Sequence, residues 1–478
     1  MAGTFRKSGY SPRARLLALF VIFALILGGG GTPNPSTEIV LELLFVAFAL
    51  AWVWLPRPSA EHGEMSNDRL VMLLVAIPLV IPVIQLIPLP PAIWSALPGR
   101  ANETAALSLV GGQESWRPIS LSPSRTIASL LATIPAVFCC YAVSRLTLHE
   151  RRLVLLAVFA MAVVTSLLGV VQLSAGDPGI NFYREHHVGW ITGFQANRNA
   201  AADVLLIGFL ALVTLGAPYL AGQRARLPMS LDRRSLWLSI AGSGLLLLAA
   251  IIMTGSRTGI LLILVAGATA AAMLSLGRKA PRGRATSRTV VALLATLAVG
   301  AAIVIAIVAL SKESALVRVA ERFTDFGESR SNVWKDTWFA LGQYWPVGFG
   351  MGGFEPAMLP AERLEFLDVA RPNRAHNDFL EIGLEAGLLG YIMIAAAVTT
   401  CIAMACRAWR EDSEARGQVV FALAVLVIVA FHSVVDYPLR SMAVACLAGV
   451  AGGLLARRTS RARQIAAFEV DELVKGQA

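Results

Sequence analysis

His376 stands where a polar, charged run, residues 371–378, turns abruptly into the apolar stretch FLEIGLEAGLLG. Its neighbours are Arg374, Asn377 and Asp378. An imidazole has an ordinary pKa near 6.5, so at about neutral pH it can take a proton as a general base. A helix N-terminus and Arg374 would disfavour a charged ring here, with Asp378 opposing them. The same spacing also fits a plain helix start, capped by Asn377 or Asp378, with His376 incidental. Three arginines stand out: Arg198 after GWITGFQAN and Arg257 in SRTG, both beside apolar runs, and Arg330 in the polar stretch ESRSNVWKDTW of a long loop. Guanidinium forks hold phosphate-type anions bidentately and stabilise charge on a leaving group. Each can instead be a solvated or snorkelling charge. His432 and Asp436, in HSVVDYPL, can serve the chemistry or orient helix ends, and His186 and His187 read as loop residues. No His/Glu/Cys cluster has metal-ligand spacing, and GFGMGG follows no strand, so no metal and no cofactor are expected.

The chain that must position these groups has 478 residues, 56% hydrophobic and 15% charged, with mean hydropathy +0.65. Soluble domains carry about 25% charged residues. The fold class that follows is all-α, a polytopic helical membrane protein. Runs long enough to cross about 30 Å of hydrocarbon fall at 15–31, 38–55, 70–90, 124–145, 152–174, 199–219, 236–254, 258–276, 289–310, 379–406, 418–436 and 438–456, about twelve transmembrane helices. The third contains Pro78, Pro82 and Pro88 and is expected to kink or break. Cys139, Cys140, Cys401, Cys406 and Cys446 lie in apolar runs and read as small core residues. The first apolar run leads into further spans, so it reads as a helix and not as a cleaved signal.

The net charge of +10 is a topology signal and not a nucleic-acid footprint. With the N-terminus in the cytoplasm, 26 of the 41 Lys and Arg fall in cytoplasmic segments, among them GRKAPRGR, as the positive-inside rule requires. The chain then divides into a cytoplasmic tail (1–15), transmembrane helices one to nine (16–310), a large external loop (311–378), helices ten to twelve (379–456) and a second cytoplasmic tail (457–478). The external loop carries Trp334, Trp338, Tyr344, Trp345 and Phe354. It is too long for a connector and too apolar for disorder. It is expected to form a partly helical cap, with a helix over 332–341 and a turn-rich link at 346–353.

Taken in order, SRTG (256–259), R-x-x-x-W from Arg330 to Trp334, WPVGFGMGGF (345–354), AHNDFLEIGLEAGLLG (375–390) and HSVVDYPL (432–439) resemble the O-antigen ligase and O-antigen polymerase family of bacterial membrane glycosyltransferases. GWITGFQANRNAAA (189–202) is similar to the family's stretch before a middle span. The resemblance covers roughly residues 185–455. It implies a glycan donor on polyprenyl (undecaprenyl) pyrophosphate at the periplasmic face of the inner membrane, and a glycan, lipid or protein acceptor. Transfer would be inverting and metal-independent. It implies His376 as catalytic base, Arg257 and Arg330 as the pyrophosphate clamp, and Arg198, Arg374, Asn377, Asp378, His432 and Asp436 as supporting residues. Membrane lipids and other polysaccharide-assembly proteins are the further partners. Polymerisation of repeat units is slightly favoured over ligation of a finished chain to lipid A-core or protein. Two readings of other classes are a secondary transporter and an assembly scaffold. Transporters set ionisable groups at mid-membrane between repeated halves; Asp203 and Glu42 are the candidates here, and the halves show no repeat.

Overall fold

The computed structural model describes residues 10–31, 36–56, 69–175, 180, 182–183, 187, 189–220, 233–276, 328–366, 372–411, 413 and 415–457. The expected ninth span, the 277–288 loop, the first part of the expected cap (311–327), His186 and most of both tails lie outside these residues.

The apolar runs fold as helices: α1 (Pro12–Leu27), α2 (Ser36–Trp54), α3 (Arg69–Gln85), α4 (Pro91–Trp94), α5 (Ala101–Leu109), α6 (Pro123–Ser144), α7 (Leu148–Ala175), α8 (Arg198–Leu220), α9 (Arg233–Met253) and α10 (Arg257–Leu276). After the undescribed segment come α11 (Glu328–Tyr344), α12 (Phe354–Met358), α13 (Asp378–Glu411), α14 (Arg416–Ser433) and α15 (Met442–Leu454). Among the described residues, α2, α6, α7, α8, α9, α10, α13 and α14 are long and apolar enough to cross a membrane. In hydrocarbon a helix satisfies its own backbone groups, which is why such runs adopt it.

Almost all of α8 is buried, with α7, α9, α10 and α14 packed around it. Among the described residues, α15 packs closely on α6. A Cβ at Gly449 would lie 2.1 Å from the Ala136 carbonyl oxygen, and one at Gly453 would lie 2.5 Å from that of Cys140. Two glycines four residues apart share one helix face, and their missing side chains let the backbones meet.

Four expected spans differ from the helices that form, in three ways. The third stops at Gln85, because Pro88, Pro90 and Pro91 cannot continue a helix. Residues 88–89 and 117–118 instead form a two-residue antiparallel ladder, a small exception to the all-α reading. The spans expected at 418–436 and 438–456 are separated: α14 ends at Ser433 and α15 begins at Met442. Between them runs a turn and a 3-10 helix, Pro438–Arg440. Proline lacks the donor a helix interior needs, so the turn stays open and carries Asp436.

The third difference is the tenth span. Gly387 has φ 58° and ψ −144°, so α13 is two helical pieces joined at a break. The carbonyls freed there find other donors. Leu384 accepts from the Phe349 amide at 2.9 Å, and Glu385 accepts from the Gly350 amide at 2.9 Å. The buried Gln85 side chain donates to the same Glu385 carbonyl at 2.8 Å and accepts from the Met351 amide at 2.9 Å. The turn-rich link 346–353 is thus the piece that fills the break, and Gly348, Gly350 and Gly352 all have positive φ in it.

α11 contains the expected 332–341 helix and extends it at both ends. Ala340, Leu341, Phe349, Phe354, Ala357, Met358, Ala375 and Leu384 form an apolar cluster of their own. The described part of the 311–378 loop therefore packs as a unit on the first piece of α13.

Candidate active site

His376 lies just before α13, in a left-handed backbone conformation (φ 51°) uncommon for a residue with a side chain. Four contacts hold it there. Asn377 caps α13, its Oδ1 accepting from the Leu380 amide at 3.0 Å. The Ala375 amide donates to Glu381 at 3.0 Å, and the Ala375 carbonyl accepts from Trp334 Nε1 at 2.9 Å. The Asp378 amide donates to the Asp436 carbonyl at 3.2 Å. A strained conformation persists where its surroundings over-determine it, and this happens often at functional sites.

The ring meets a carboxylate. His376 Nδ1 is 3.0 Å from Asp436 Oδ1. Asp436 is 3% exposed and His376 28%, so the histidine faces solvent and the aspartate stands behind it. Asn197 donates to Asp436 Oδ2 at 3.1 Å, and Asn199 donates to the same oxygen. With amide donors on one oxygen, the other accepts from Nδ1–H. Nε2 then carries the lone pair, turned away from the carboxylate. Tyr437 packs on the imidazole with ring centroids 4.9 Å apart. Burial, with the Asp436 charge adding to it, pushes the Tyr437 phenol up to about 12, so it is neutral at neutral pH.

Asp436, and not the neighbouring Asp378, is the carboxylate within hydrogen-bond reach of the ring. Asp378 accepts from Ser433 Oγ at 2.7 Å and faces Arg440. It belongs to a buried ionic group with Glu381 and Glu385, on one face of α13 at intervals of three and four residues. Arg374 pairs with Glu381 at 3.0 Å. Arg440 reaches Glu385 at 2.6 Å and Glu381 at 3.2 Å. Burial alone would ease the proton from Arg440, but the three carboxylates outweigh it and raise its pKa. Arg374 and Asp378 therefore position the His376 stretch. Glu381, Glu385, Arg440, Asn197 and Asn199 escaped the sequence reading. Three acidic residues on one face of an apolar helix were the signal, since each needs a cation or donor.

Arg198 is 7% exposed, contrary to the solvated alternative. It opens α8 and lies over the Trp190 ring at 5.3 Å. Trp190 packs on Gly255, where a Cβ would come 2.2 Å from the ring. Ser256 caps α10 by accepting from the Gly259 amide at 3.1 Å, and Arg257 follows it as the first residue of that helix. The starts of α8 and α10 and the His376–Asp436 pair thus join through continuous contacts. Arg330 lies near the start of α11, one helical turn before Trp334. His432 and Asp203 are buried against each other at 2.7 Å. His187 is exposed. The five cysteines are free thiols, and among the described residues no cluster of three His, Cys, Asp or Glu could hold a metal ion.

A helical bundle with several helices long and apolar enough to cross a membrane, holding a carboxylate-backed histidine and arginines at one end, is the architecture of a polytopic membrane protein with a polar cluster at its edge. Residues 242–395 match the family model described as O-Antigen ligase, which supports the O-antigen ligase and polymerase family for this chain. The match includes Arg257, Arg330, Arg374 and His376, and stops before His432 and Asp436. No curated protein matches the chain.

Proposed function

We propose that the chain is a membrane glycosyltransferase of surface polysaccharide assembly. It moves a glycan from polyprenyl pyrophosphate to an acceptor hydroxyl at the periplasmic face of the bacterial inner membrane. The observation that carries the reading is the His376–Asp436 pair at one end of an apolar bundle, in a chain matching the O-Antigen ligase family model.

The acceptor oxygen attacks the anomeric carbon while the bond from that carbon to the phosphate oxygen breaks. Lipid pyrophosphate leaves with the bonding electron pair, and the anomeric centre inverts. His376 Nε2 takes the hydroxyl proton. Asp436 fixes the tautomer and stabilises the imidazolium that forms. Arg257 and Arg330 hold the pyrophosphate and the charge that develops on it. Polymerase and ligase share this chemistry, and the acceptor separates them: a second lipid-linked chain for one, lipid A-core or protein for the other.

The test is transfer by purified protein in detergent, with a lipid-pyrophosphate-linked glycan as donor and chelator present. Product is expected without added metal or nucleotide sugar. His376→Gln is expected to abolish most transfer and leave donor binding intact. Arg257→Ala and Arg330→Ala are expected to lose both, and lysine to rescue poorly because it lacks the planar fork. Strict dependence on a divalent metal, or a near wild-type rate in His376→Gln, sinks the mechanism. Catalysis with no sealed compartment also excludes a pure transporter.

A further inference from the structure

Beneath the His376–Asp436 pair lies a second pair of the same kind. His432, in the last turn of α14, brings Nδ1 to 2.7 Å from Oδ1 of Asp203 on α8. Both side chains are fully buried. Ionisable groups inside a bundle are expensive and call for a function. Two links join this inner pair to the outer one. The Asp436 amide donates to the His432 carbonyl at 2.9 Å, so one short turn carries a member of each pair. Asp203 and Asp436 also line one narrow cleft, with Gly29, Asn197 and Ser441 among its other walls. The second carboxylate oxygen of Asp203 has no hydrogen-bond partner among the described residues. The two carboxylates thus stand on the walls of the same cleft.

Charge decides what the inner pair can do. Two ionised carboxylates beside two neutral imidazoles would bury two negative charges together. One proton held between His432 and Asp203 makes the inner pair neutral, as an imidazolium on His432 facing the Asp203 carboxylate. Asp436 then carries the remaining negative charge of the four groups, which is the state that fixes Nδ1–H on His376.

We propose that Asp203 and His432 are positioning residues: they share one proton and so keep Asp436 ionised behind His376. The proposal rests on His376 acting as the base. The other charged groups on the neighbouring elements make contacts of their own. Asp378, Glu381 and Glu385 of α13 face Arg374 and Arg440, three carboxylates to two guanidinium groups, and Glu38 of α2 accepts from the Gly31 amide at 3.0 Å. Arg198 of α8 lies over Trp190, and Arg257 opens α10. Tyr437 stays neutral.

The experiment is the pH profile of transfer for wild type, His376→Gln, His432→Gln, and the double variant Asp203→Asn with His432→Gln, with donor binding measured in parallel. His432→Gln leaves Asp203 without its proton-sharing partner and adds negative charge beside Asp436. Its acid limb is expected to move to higher pH by about one unit, the effect of a like charge nearby. The double variant removes that charge, and its acid limb is expected to return to the wild-type position. Recovery in the double variant marks charge balance, because a packing role predicts two defects at least as severe as one. An unshifted limb in His432→Gln, or a shifted limb that persists in the double variant, overturns the proposal. So does loss of donor binding in both, which marks a packing role. If His376→Gln retains the wild-type acid limb, the base reading itself has failed, and this proposal fails with it.

Discussion

At the scale of single residues, the site depends on which atom of His376 carries a proton. Asp436 determines this with one oxygen, while Asn197 and Asn199 hold the other. Asp436→Asn keeps the shape and reverses the logic: an amide N–H can face Nδ1, and Nε2 then carries the proton. Transfer is expected to fall on the order of 10⁴-fold, the scale of a wrong-tautomer defect. Donor binding should stay near wild type, and transfer rate against donor affinity checks both. A defect in binding alone would mean that Asp436 merely shapes the cleft. The sequence showed His376 and the arginines because each interrupts an apolar region, where a charge needs a reason. It did not join His376 to Asp436. The partner stands 60 residues away, across the broken α13 and the whole of α14, and only tertiary packing makes them neighbours. The same limit left His432 and Asp203 apart, one read as a supporting or helix-end residue and the other as a transporter candidate.

At the scale of elements, the break in α13 matters most for the site. LEAGLLG reads as uninterrupted helix, because one glycine in an apolar run lowers helix propensity only modestly. What breaks it is remote in sequence: residues 346–351 and Gln85 take over the freed backbone groups. Gly387→Ala is expected to be severe. A Cβ there would lie 2.0 Å from the Pro346 carbonyl oxygen, and φ 58° with ψ −144° is a region that side chains avoid. Strain of this type costs about 1–3 kcal/mol before the clash is added. Gly342→Ala on α11 is the control, since a Cβ there meets nothing within 4 Å. Thermal unfolding in detergent compares the two. Equal stability would show that the break is incidental. The small-residue contact of α15 with α6 was equally hidden in the sequence, since Gly449 and Gly453 look like any small residues until a partner backbone is in view.

At the scale of the whole molecule, both cap and bundle are oriented by charge in our reading, with α11 outside and the 411–416 turn inside. Cysteines introduced at Leu364, which is 83% exposed, and at Ser413, which is exposed, test this on a background lacking the five native thiols. The first is expected to react with a membrane-impermeant reagent applied from the periplasmic side, and the second only after permeabilisation. The reverse pattern would move the site to the cytoplasmic face and exclude a donor presented outside. Helices were legible at this scale because hydrocarbon demands them, whereas their ends at the site were not: Ser433 and Met442 bound a turn shaped by Asp436 and its partners. The order of the chain gives that turn one more consequence. Asp436 and Arg440 leave the ribosome after Arg257, Arg330 and His376, and α15, which packs on α6 through Gly449 and Gly453, comes later still. Under the proposed function, a chain cut short before Asp436 holds its base without the carboxylate that aims it. Such an unfinished molecule is expected to leave the lipid-linked donor unspent.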